Sequence, residues 1–293
     1  MPHHDRREFL KLAGLAGVTF TAGLFPAARA GAQGMGDFHF VQISDIHWGF
    51  KGPPNPEADQ MLEKAIVTVN GLSQKPDFIV FTGDLTHTTE DGKVRRERMK
   101  RVKEIASTLN VKDLRFLPGE HDASLDKGAA FQEFFGATHW TFDHKGVHFI
   151  ALDNVSDPGA KLGDEQLAWL AADLKQRKPD DKIVVFTHRP LFDLMPNWDW
   201  TTADGAKAID LLMPYKNVVV FYGHIHQNHD HMTGHIAHHA AKSLIFPQAA
   251  PGGTAPRRPP PPPFDASLKP LGTREVAMTG SKIDITELPV TKA

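Results

Sequence analysis

Apolar residues follow two alternating patterns along most of the chain. Short strand patterns cover residues 38–43, 78–82, 114–117, 147–152, 183–186 and 218–222. The last two are continuous apolar runs, which are typical of strands buried on both faces. Between several of these segments, apolar residues recur at helical spacing at Leu62, Ala65, Ile66 and Val69, at Val102, Ile105 and Leu109, and at Leu167, Leu170 and Leu174. This mostly β-α-β order predicts an α/β fold with a largely central sheet.

Two hairpins are also predicted. Residues 140–142 are expected to pair with the strand at 147–152 across a turn at 143–146. Near the end of the chain, residues 275–278 and 282–286 flank Thr279-Gly280-Ser281, which is typical of a hairpin spanning 274–286. This second hairpin is expected to close the edge of the sheet, so residues 36–293 are predicted to form one domain.

Two segments break the pattern. Residues 224–239 contain seven histidines, and three of them, His229, His231 and His235, are expected either to line a substrate pocket or to lie in a solvated loop. The segment 251–263, PGGTAPRRPPPPP, favours a polyproline II conformation without internal hydrogen bonds. We interpret it as a surface spacer rather than a partner-binding motif.

The first residues have the features of an export signal. A basic start precedes an apolar run at 12–25 and the small residues Ala28 and Ala30, which predicts a signal peptide over residues 1–32. Arg6-Arg7 resembles a twin-arginine signal, with Asp5 where that signal usually has Ser or Thr. The apolar run is shorter than the ~20 residues of a membrane span, which favours cleavage over a stable membrane anchor. We therefore expect a periplasmic or secreted bacterial protein, exported in folded form by the twin-arginine machinery.

Composition narrows the chemistry. The chain has 293 residues and a formal net charge of −2, which gives no indication of nucleic-acid binding. It has no cysteine, which excludes disulfides, zinc–thiolate sites and thiol catalysis. It has 17 histidines, and imidazole is a common ligand of transition metals. The composition therefore favours a metal site built from nitrogen and oxygen ligands.

Five predicted strands end next to residues that can bind metals. They are followed by Asp45 and His47, by Asp84, by Glu120, His121 and Asp122, by His188, and by His224 and His226. Ligands of open α/β sheets bind outside the carboxyl ends of the strands. Each motif alone is weak, but buried charges must be paired or bound to metals. Five such strand ends therefore predict a shared metal centre.

This ordered set, D-x-H, G-D, G-(N)-H-D, H and G-H-x-H, resembles the calcineurin-like metallophosphoesterases, and within them the class III cyclic-nucleotide phosphodiesterase-like branch. The resemblance spans residues 45–226. It implies a four-layer α/β/β/α sandwich and two metal ions. One ion would be bound by Asp45, His47, Asp84 and His226, and the other by Asp84, Glu120, His188 and His224. His121, oriented by Asp122, would be the proton donor.

The chemistry of these ligands agrees with the resemblance. Carboxylate and imidazole ligands without sulfur suit iron, manganese or zinc. Two such ions can hold a bridging hydroxide as nucleophile and bind the phosphate oxygens of an in-line displacement. The leaving alkoxide then takes a proton from a positioned imidazole.

Two residues depart from the family pattern. Glu120 stands where the family normally has Asn, and His87 stands where relatives often have Asp. A carboxylate at Glu120 would lower the net charge of the site, which favours either a trivalent ion or singly charged phosphodiesters; alternatively, Glu120 turns away from the metals. Arg189 is expected either to contact the substrate phosphate or to be paired at the surface.

We therefore predict an exported metallophosphoesterase acting on a small phosphate ester. Monoesters and diesters, including cyclic nucleotides, remain open as substrates. The alternative is a catalytically inert, exported metal-binding protein. A metal buffer needs no proton donor, so His121 and Asp122 favour the enzyme.

Overall fold

A computed structural model describes residues 36–252, 271–280 and 282–290. The predicted signal peptide at 1–32 lies outside the described residues, as does most of the proline-rich segment. Within these ranges the strands are β1 (Phe38–Ile43), β2 (Phe78–Thr82), β3 (Leu114–Leu117), β4 (Trp140–His144), β5 (Val147–Ala151), β6 (Lys182–Phe186), β7 (Asn217–Tyr222), β8 (His229–Thr233), β9 (Ile236–Ala240), β10 (Gly272–Thr279) and β11 (Lys282–Pro289).

Six α-helices are described, of which the first, second and fifth lie where the helical spacing predicts them. They are α1 (Ala58–Asn70), α2 (Gly92–Ala106), α3 (Glu120–Ala123), α4 (Ala129–Phe135), α5 (Gly163–Leu174) and α6 (Gly205–Leu212), with a 3-10 turn at Pro196–Trp198. Leu109, expected in the second helix, lies just beyond its end. None of the described helices has the length and apolarity needed to span a bilayer.

The strands form two mixed sheets, which confirms the sandwich implied by the resemblance; the alternation of strands and helices by itself predicts only a largely central sheet. The first has the order β11-β10-β1-β2-β3 and the second the order β4-β5-β6-β7-β9-β8. Strands β1, β2 and β3 run parallel, as do β5, β6, β7 and β9. The β10–β11 hairpin is longer than predicted, and β11 forms the edge of the first sheet, as expected.

The two sheets pack face to face, with helices on their outer faces. Phenylalanines from both sheets fill the space between them, including Phe40, Phe78, Phe149 and Phe186. The first sheet packs its other face on α1, α2 and α4, and the second packs on α5 and α6. The chain is therefore an α/β/β/α sandwich. A run of buried apolar residues cannot reveal this arrangement, because it is the same whether a helix or another sheet covers the strand.

Two turns differ from the sequence prediction. The histidine-rich segment is not a loop, because β8 and β9 form an antiparallel hairpin within it. Strand β4 extends to His144, so its turn shortens to Lys145-Gly146. Both turn residues have positive φ, 45° and 79°. That matches a type I′ turn, the tight connection favoured between twisted strands.

Candidate metal centre

The strand ends that carry the candidate residues meet at one edge of the sandwich. Parallel strands end at the same edge of a sheet, and here the two sheets face each other, so loops from both come together. Three groups of potential metal ligands form there, and one of them joins His47 to His87 and His121. The other two contain the residues that the resemblance implies as ligands. Of these two, the first contains Asp45, His47 and His226, and the second contains Asp84, Glu120, His188 and His224.

The first group is compact and buried. The Nε2 atoms of His47 and His226 lie 3.2 Å apart. His226 Nε2 lies 3.4 Å from Asp45 Oδ1, and His47 Nε2 lies 3.3 Å from Asp84 Oδ2. Ligand atoms about 2.1 Å from a common ion are separated by about 3.0–3.4 Å. The spacing therefore fits one shared cation.

The second group centres on Glu120. Its Oε2 lies 2.9 Å from His188 Nε2, and its Oε1 lies 2.9 Å from His224 Nδ1. His188 Nε2 is also 3.4 Å from Asp84 Oδ2. The Glu120 carboxylate thus faces the two imidazoles instead of turning away from them.

Asp84 connects the two groups. Its Oδ2 lies within 3.4 Å of an imidazole nitrogen in each group, His47 Nε2 and His188 Nε2. Its Oδ1 accepts a hydrogen bond from the backbone N–H of His121 at 3.0 Å. The side chain is therefore held in the orientation that a bridging ligand needs.

Backbone carbonyls orient three of the imidazoles. His188 Nδ1 lies 2.7 Å from the carbonyl of Thr82, His226 Nδ1 lies 2.9 Å from that of Phe246, and His224 Nε2 lies 3.0 Å from that of Asp199. A nitrogen that donates to a carbonyl carries the ring proton, which leaves the other nitrogen with a free lone pair. In each case that other nitrogen is the one facing the acidic groups.

Several buried polar atoms at the second group make no well-directed hydrogen bond among the described residues, although each lies 2.9 Å from another polar atom of the group. They are Glu120 Oε2, His188 Nε2 and His224 Nδ1. Leaving such atoms unsatisfied costs free energy, about 1–3 kcal/mol each. A cation bound between them would compensate all three. The donors, their spacing and their unsatisfied atoms therefore fit a metal ion.

The pKa shifts of the second group also favour a bound cation. Burial lowers the pKa of His188, but Asp84 and Glu120 together raise it well above its usual value. Burial raises the pKa of Glu120, but His224 and His188 hold it well below its usual range. Positive charge is thus stabilised at this position. A metal ion bound between these groups would supply that charge.

The backbone at the site is strained. Asp45, His47, Asp84, His224 and His226 all have φ between 49° and 66°. Left-handed backbone is unfavourable for such residues and is concentrated at functional sites. Gly223 is required for a different reason, because a Cβ there would lie 2.0 Å from Ser44 Oγ. These strained turns direct the ligand side chains towards the centre.

His121 lies beside the centre, but Asp122 does not orient it. The Asp122 carboxylate accepts hydrogen bonds from the backbone N–H groups of Leu85, Thr86 and Gly119, and from Thr86 Oγ1. Burial, with the nearby Asp84, raises its pKa to about 6. Asp122 points elsewhere because consecutive residues of a helical turn do not share a face. Its role is to hold the loop after β2 against α3.

Thr88 is the residue that holds the His121 ring. Its backbone N–H donates to His121 Nδ1 at 3.3 Å, and its hydroxyl lies 2.6 Å from the same nitrogen. Because Nδ1 accepts a hydrogen bond, the ring proton lies on Nε2. That atom lies 4.0 Å from Asp84 Oδ2 and so faces the centre.

Arg189 is paired, but it is not at the surface. Its side chain is only 7% exposed, and it contacts Asp199 and Glu120. Nε lies 3.6 Å from Glu120 Oε2. The guanidinium therefore lies directly behind the second group of ligands.

The remaining histidines lie at different distances from the centre. His87 Nδ1 lies 3.5 Å from His47 Nδ1, and its ring stacks on His121, so it borders the site. His229 contacts the hydroxyl of Tyr222 at 3.1 Å, and His231 stacks on Phe192. His235 is exposed and lies 2.7 Å from the carbonyl of Tyr215. His229, His231 and His235 belong to the β8–β9 hairpin. The structure brings none of them into a ligand group.

Sequence reasoning missed two residues that support the centre. Thr88 orients His121, and Asp199 provides the carbonyl facing His224. Neither lies in a motif. Asp199 is unusual only in its backbone, with φ of 66°. Its side chain type alone gives no signal of this role.

Comparison with known proteins agrees with the geometry. The family model described as calcineurin-like phosphoesterase matches residues 38–228. The chain is 29% identical over 202 residues to a protein named "Probable glycerophosphodiester phosphodiesterase GpdQ" from Arcobacter nitrofigilis, covering 64% of this chain and 71% of the relative. It is 27% identical over 220 residues to the serine/threonine-protein phosphatase CPPED1 of Danio rerio, covering 66% and 71%.

Solved structures share the fold at low sequence identity. A dimetal phosphatase from Danio rerio superposes with a TM-score of 0.58 at 13% identity, covering 87% of this chain and 99% of that chain. The purple acid phosphatase PPD1 of yellow lupin superposes with a TM-score of 0.61 at 12% identity, covering 88% and 53%. These similarities support the sandwich architecture.

Proposed function

The chain belongs to the calcineurin-like phosphoesterase family, and from this premise we propose that it hydrolyses small phosphate esters with two bound metal ions. The observation that supports this most directly is Asp84, whose Oδ2 lies within 3.4 Å of an imidazole nitrogen in each ligand group. A single carboxylate placed in this way suits two neighbouring ions better than one.

The two groups would hold the ions separately. Asp45, His47 and His226 would hold one, and Glu120, His188 and His224 the other, with Asp84 shared. Bound there, iron, manganese or zinc would supply an activated water and would neutralise charge on the phosphate oxygens. The protein's own contribution is to fix the spacing and the imidazole tautomers described above.

His121 is proposed as the proton donor. Its Nε2 proton faces the centre because Thr88 occupies Nδ1. Protonation of the leaving oxygen is the step that a poor leaving group requires. This feature favours an enzyme over an inert metal-binding protein, which needs no such group.

Metal analysis combined with two assays tests the proposal. Purified protein should contain two ions per chain and hydrolyse p-nitrophenyl phosphate, a monoester, or bis(p-nitrophenyl) phosphate, a diester. The faster of the two reactions assigns the ester class, and activity on cyclic nucleotides would define a narrower diesterase. Two tightly bound ions with neither activity would instead favour the metal-binding alternative.

Asp84→Asn should lose at least one ion and lower turnover by at least about a hundredfold, since even outer-shell changes cost 10–100-fold. Asp164→Asn is a matched control, because its side chain is 97% exposed, and it should behave like the parent. An Asp84→Asn protein with two ions and near-parent turnover would contradict the dinuclear proposal.

Export remains a proposal based on residues 5–30 alone. The arginine pair of a twin-arginine signal is read by the exporter. Replacing Arg6 and Arg7 with lysine should therefore keep the precursor in the cytoplasm. Normal amounts of mature protein in the periplasm would point to another route.

A further inference from the structure

Arg189 is a buried cation fixed beside the second ligand group. The residue is only 5% exposed. Its backbone is held from both sides, because Asn154 Nδ2 donates to its carbonyl at 2.9 Å and its N–H donates to Asn154 Oδ1 at 3.3 Å. The Thr187 hydroxyl also donates to the carbonyl, at 2.8 Å. The backbone that carries the guanidinium is therefore fixed by side chains of the surrounding loops.

The guanidinium already has two acidic neighbours. Nη1 contacts the Asp199 side chain and donates to the Asp199 carbonyl at 3.2 Å. Nε is buried without a hydrogen-bond partner in the described part of the chain, and Glu120 Oε2 lies 3.6 Å from it. Asp199 is 54% exposed, whereas Glu120 is 17% exposed. Charge interactions are stronger where water is excluded, so Glu120 is the more strongly coupled neighbour.

The net charge of the centre depends on both Glu120 and Arg189. Two divalent ions bring four positive charges, and Asp45, Asp84 and Glu120 offset three of them. A neutral ligand at position 120 would offset only two. Arg189 adds one positive charge next to Glu120. Asp199 also pairs with Arg189, but its carboxylate is 54% exposed and therefore screened by water. Among the buried charges, the pair of Glu120 and Arg189 therefore leaves the centre with the charge that a neutral ligand alone would give.

From this arrangement, and resting on the proposed function, we infer that Arg189 is the counter-charge of Glu120 and that the two residues form an electrostatic unit. Glu120 contributes an anionic metal ligand. Arg189 preserves the positive field that attracts a phosphate ester, so the centre can use two divalent ions. In this role Arg189 is a positioning and charge-setting residue and makes no direct contact with the substrate.

The two possible roles of Arg189 have different consequences. As a counter-charge, it repels metal cations and attracts phosphate through its charge. Removing it should then strengthen metal binding and weaken phosphate binding. As a direct phosphate ligand whose guanidinium turns from Glu120 towards the substrate, it would affect phosphate binding and leave metal affinity nearly unchanged. The sign of the change in metal affinity therefore distinguishes the roles without an activity measurement.

The experiment uses the full chain, Mn²⁺ as the metal probe and inorganic phosphate as the anion probe, both followed by calorimetry. Arg189→Met should bind Mn²⁺ at least about tenfold more tightly, and at saturating Mn²⁺ it should bind phosphate at least about tenfold more weakly. Glu120→Gln should weaken Mn²⁺ binding and strengthen phosphate binding. The Glu120→Gln/Arg189→Met protein should return both towards the parent values.

Two control variants separate charge from packing and shape. Arg189→Lys keeps the charge and should stay close to the parent in Mn²⁺ affinity. Arg177→Met removes an arginine that pairs with Asp143, outside both ligand groups, and should change neither affinity.

Urea unfolding of the metal-free proteins provides a second readout. Arg189→Met should destabilise the parent more than it destabilises Glu120→Gln, because only in the parent does the substitution remove a cation beside the buried Glu120 carboxylate.

Three results would overturn the inference. They are unchanged Mn²⁺ affinity in Arg189→Met, weaker Mn²⁺ binding in a stably folded Arg189→Met, or strictly additive effects on metal-free stability. Failure of the proposed function looks different, because the parent protein itself would then fail to bind two ions.

Discussion

The proton on His121 is placed by a residue distant in sequence. Thr88 provides both hydrogen bonds to Nδ1, whereas the adjacent Asp122 is turned towards Leu85 and Thr86. An aspartate beside a histidine in a motif thus has a structural role here. The ring tautomer depends on a threonine that no motif marks.

We expect His121→Ala to slow alkyl phosphate esters about 10²–10⁴-fold more than nitrophenyl esters, because nitrophenolate leaves without a proton. Thr88→Val removes the hydroxyl but keeps the backbone N–H, so it should show the same dependence on leaving group with a smaller loss. Rates on the two ester types measure this directly.

Thr89→Val is the matched control, since Thr89 Oγ1 contacts only the nearby backbone N–H of Asp91 in the described structure. It should match the parent on both ester types. Equal slowing of the two ester types by His121→Ala would show that the imidazole binds substrate or supports the fold.

At the scale of elements, short turns and one short helix aim the ligands. Helix α3 begins directly after Gly119 and carries both Glu120 and His121. Gly119 has an extended backbone, so its importance is not a matter of φ. A Cβ at Gly119 would lie 2.1 Å from Asp84 Oδ1 and 2.2 Å from its backbone nitrogen. Only a glycine lets α3 approach β2 this closely.

Gly119→Ala should therefore displace Asp84 and weaken binding of both ions, as seen by metal titration, and it should also lower stability by overpacking, by about 1–3 kcal/mol. Gly92→Ala is the control, because its nearest neighbour would be the end of the Arg96 side chain at 3.4 Å. Near-parent metal affinity in Gly119→Ala would show that the loop can shift without disturbing Asp84.

The β8–β9 hairpin contains an unusual histidine. His238 is fully buried, and neither ring nitrogen has a hydrogen-bond partner among the residues described. Burial, with smaller effects from His231 and His239, lowers its pKa to about 3. In the unfolded chain its pKa should be near 6.5. Between these values the unfolded state binds more protons, so stability falls as the pH drops from about 6.5 towards 3.

His238→Phe should remove this dependence. Urea unfolding of the chelator-treated protein at pH 7.5, 6.0 and 5.0 should show a shallower loss of stability than in the parent, by up to about 1.4 kcal/mol per pH unit below 6.5. His235→Phe, at an exposed position on the same hairpin, should keep the parent's dependence. If His238→Phe also kept it, the acid sensitivity would come from other groups.

At the scale of the whole molecule, the ligand groups connect the two sheets. Asp45, His47, Asp84 and Glu120 follow strands of the first sheet, whereas His188, His224 and His226 follow strands of the second. Each group contains residues from both sheets. Bound ions would therefore link the sheets at the edge where the phenylalanine core ends.

Chelation should consequently destabilise the whole sandwich. A ligand at a hundred times its Kd stabilises by about 2.7 kcal/mol per site, so metal removal should lower Tm measurably. Hydrogen exchange should become faster in the loops of both sheets, near residues 44–48 and 223–227. On chelation, Asp84→Asn should show a smaller fall in Tm and a smaller increase in hydrogen exchange than the parent. Faster exchange in only one sheet would show that the ions do not link the two.

Much of the fold and of the candidate site could be read from local sequence. Apolar periodicity located most of the strands and the three longest helices, because it depends only on which neighbouring residues are buried. The motifs after β1, β2, β3, β6 and β7 identified both ligand groups, because turns at strand ends are local in sequence. The hairpin between β8 and β9 was missed, since its histidines do not form an apolar pattern.

Other features were decided only by the tertiary structure. Whether a second sheet or a second helix layer covers a strand depends on packing between segments far apart in the chain. The same holds for the contact of Thr88 with His121 and for the burial of Arg189 behind Glu120. Each is a contact between separate loops. Local sequence specifies the chemistry that a loop carries, whereas long-range packing determines which loops meet and which atoms face each other.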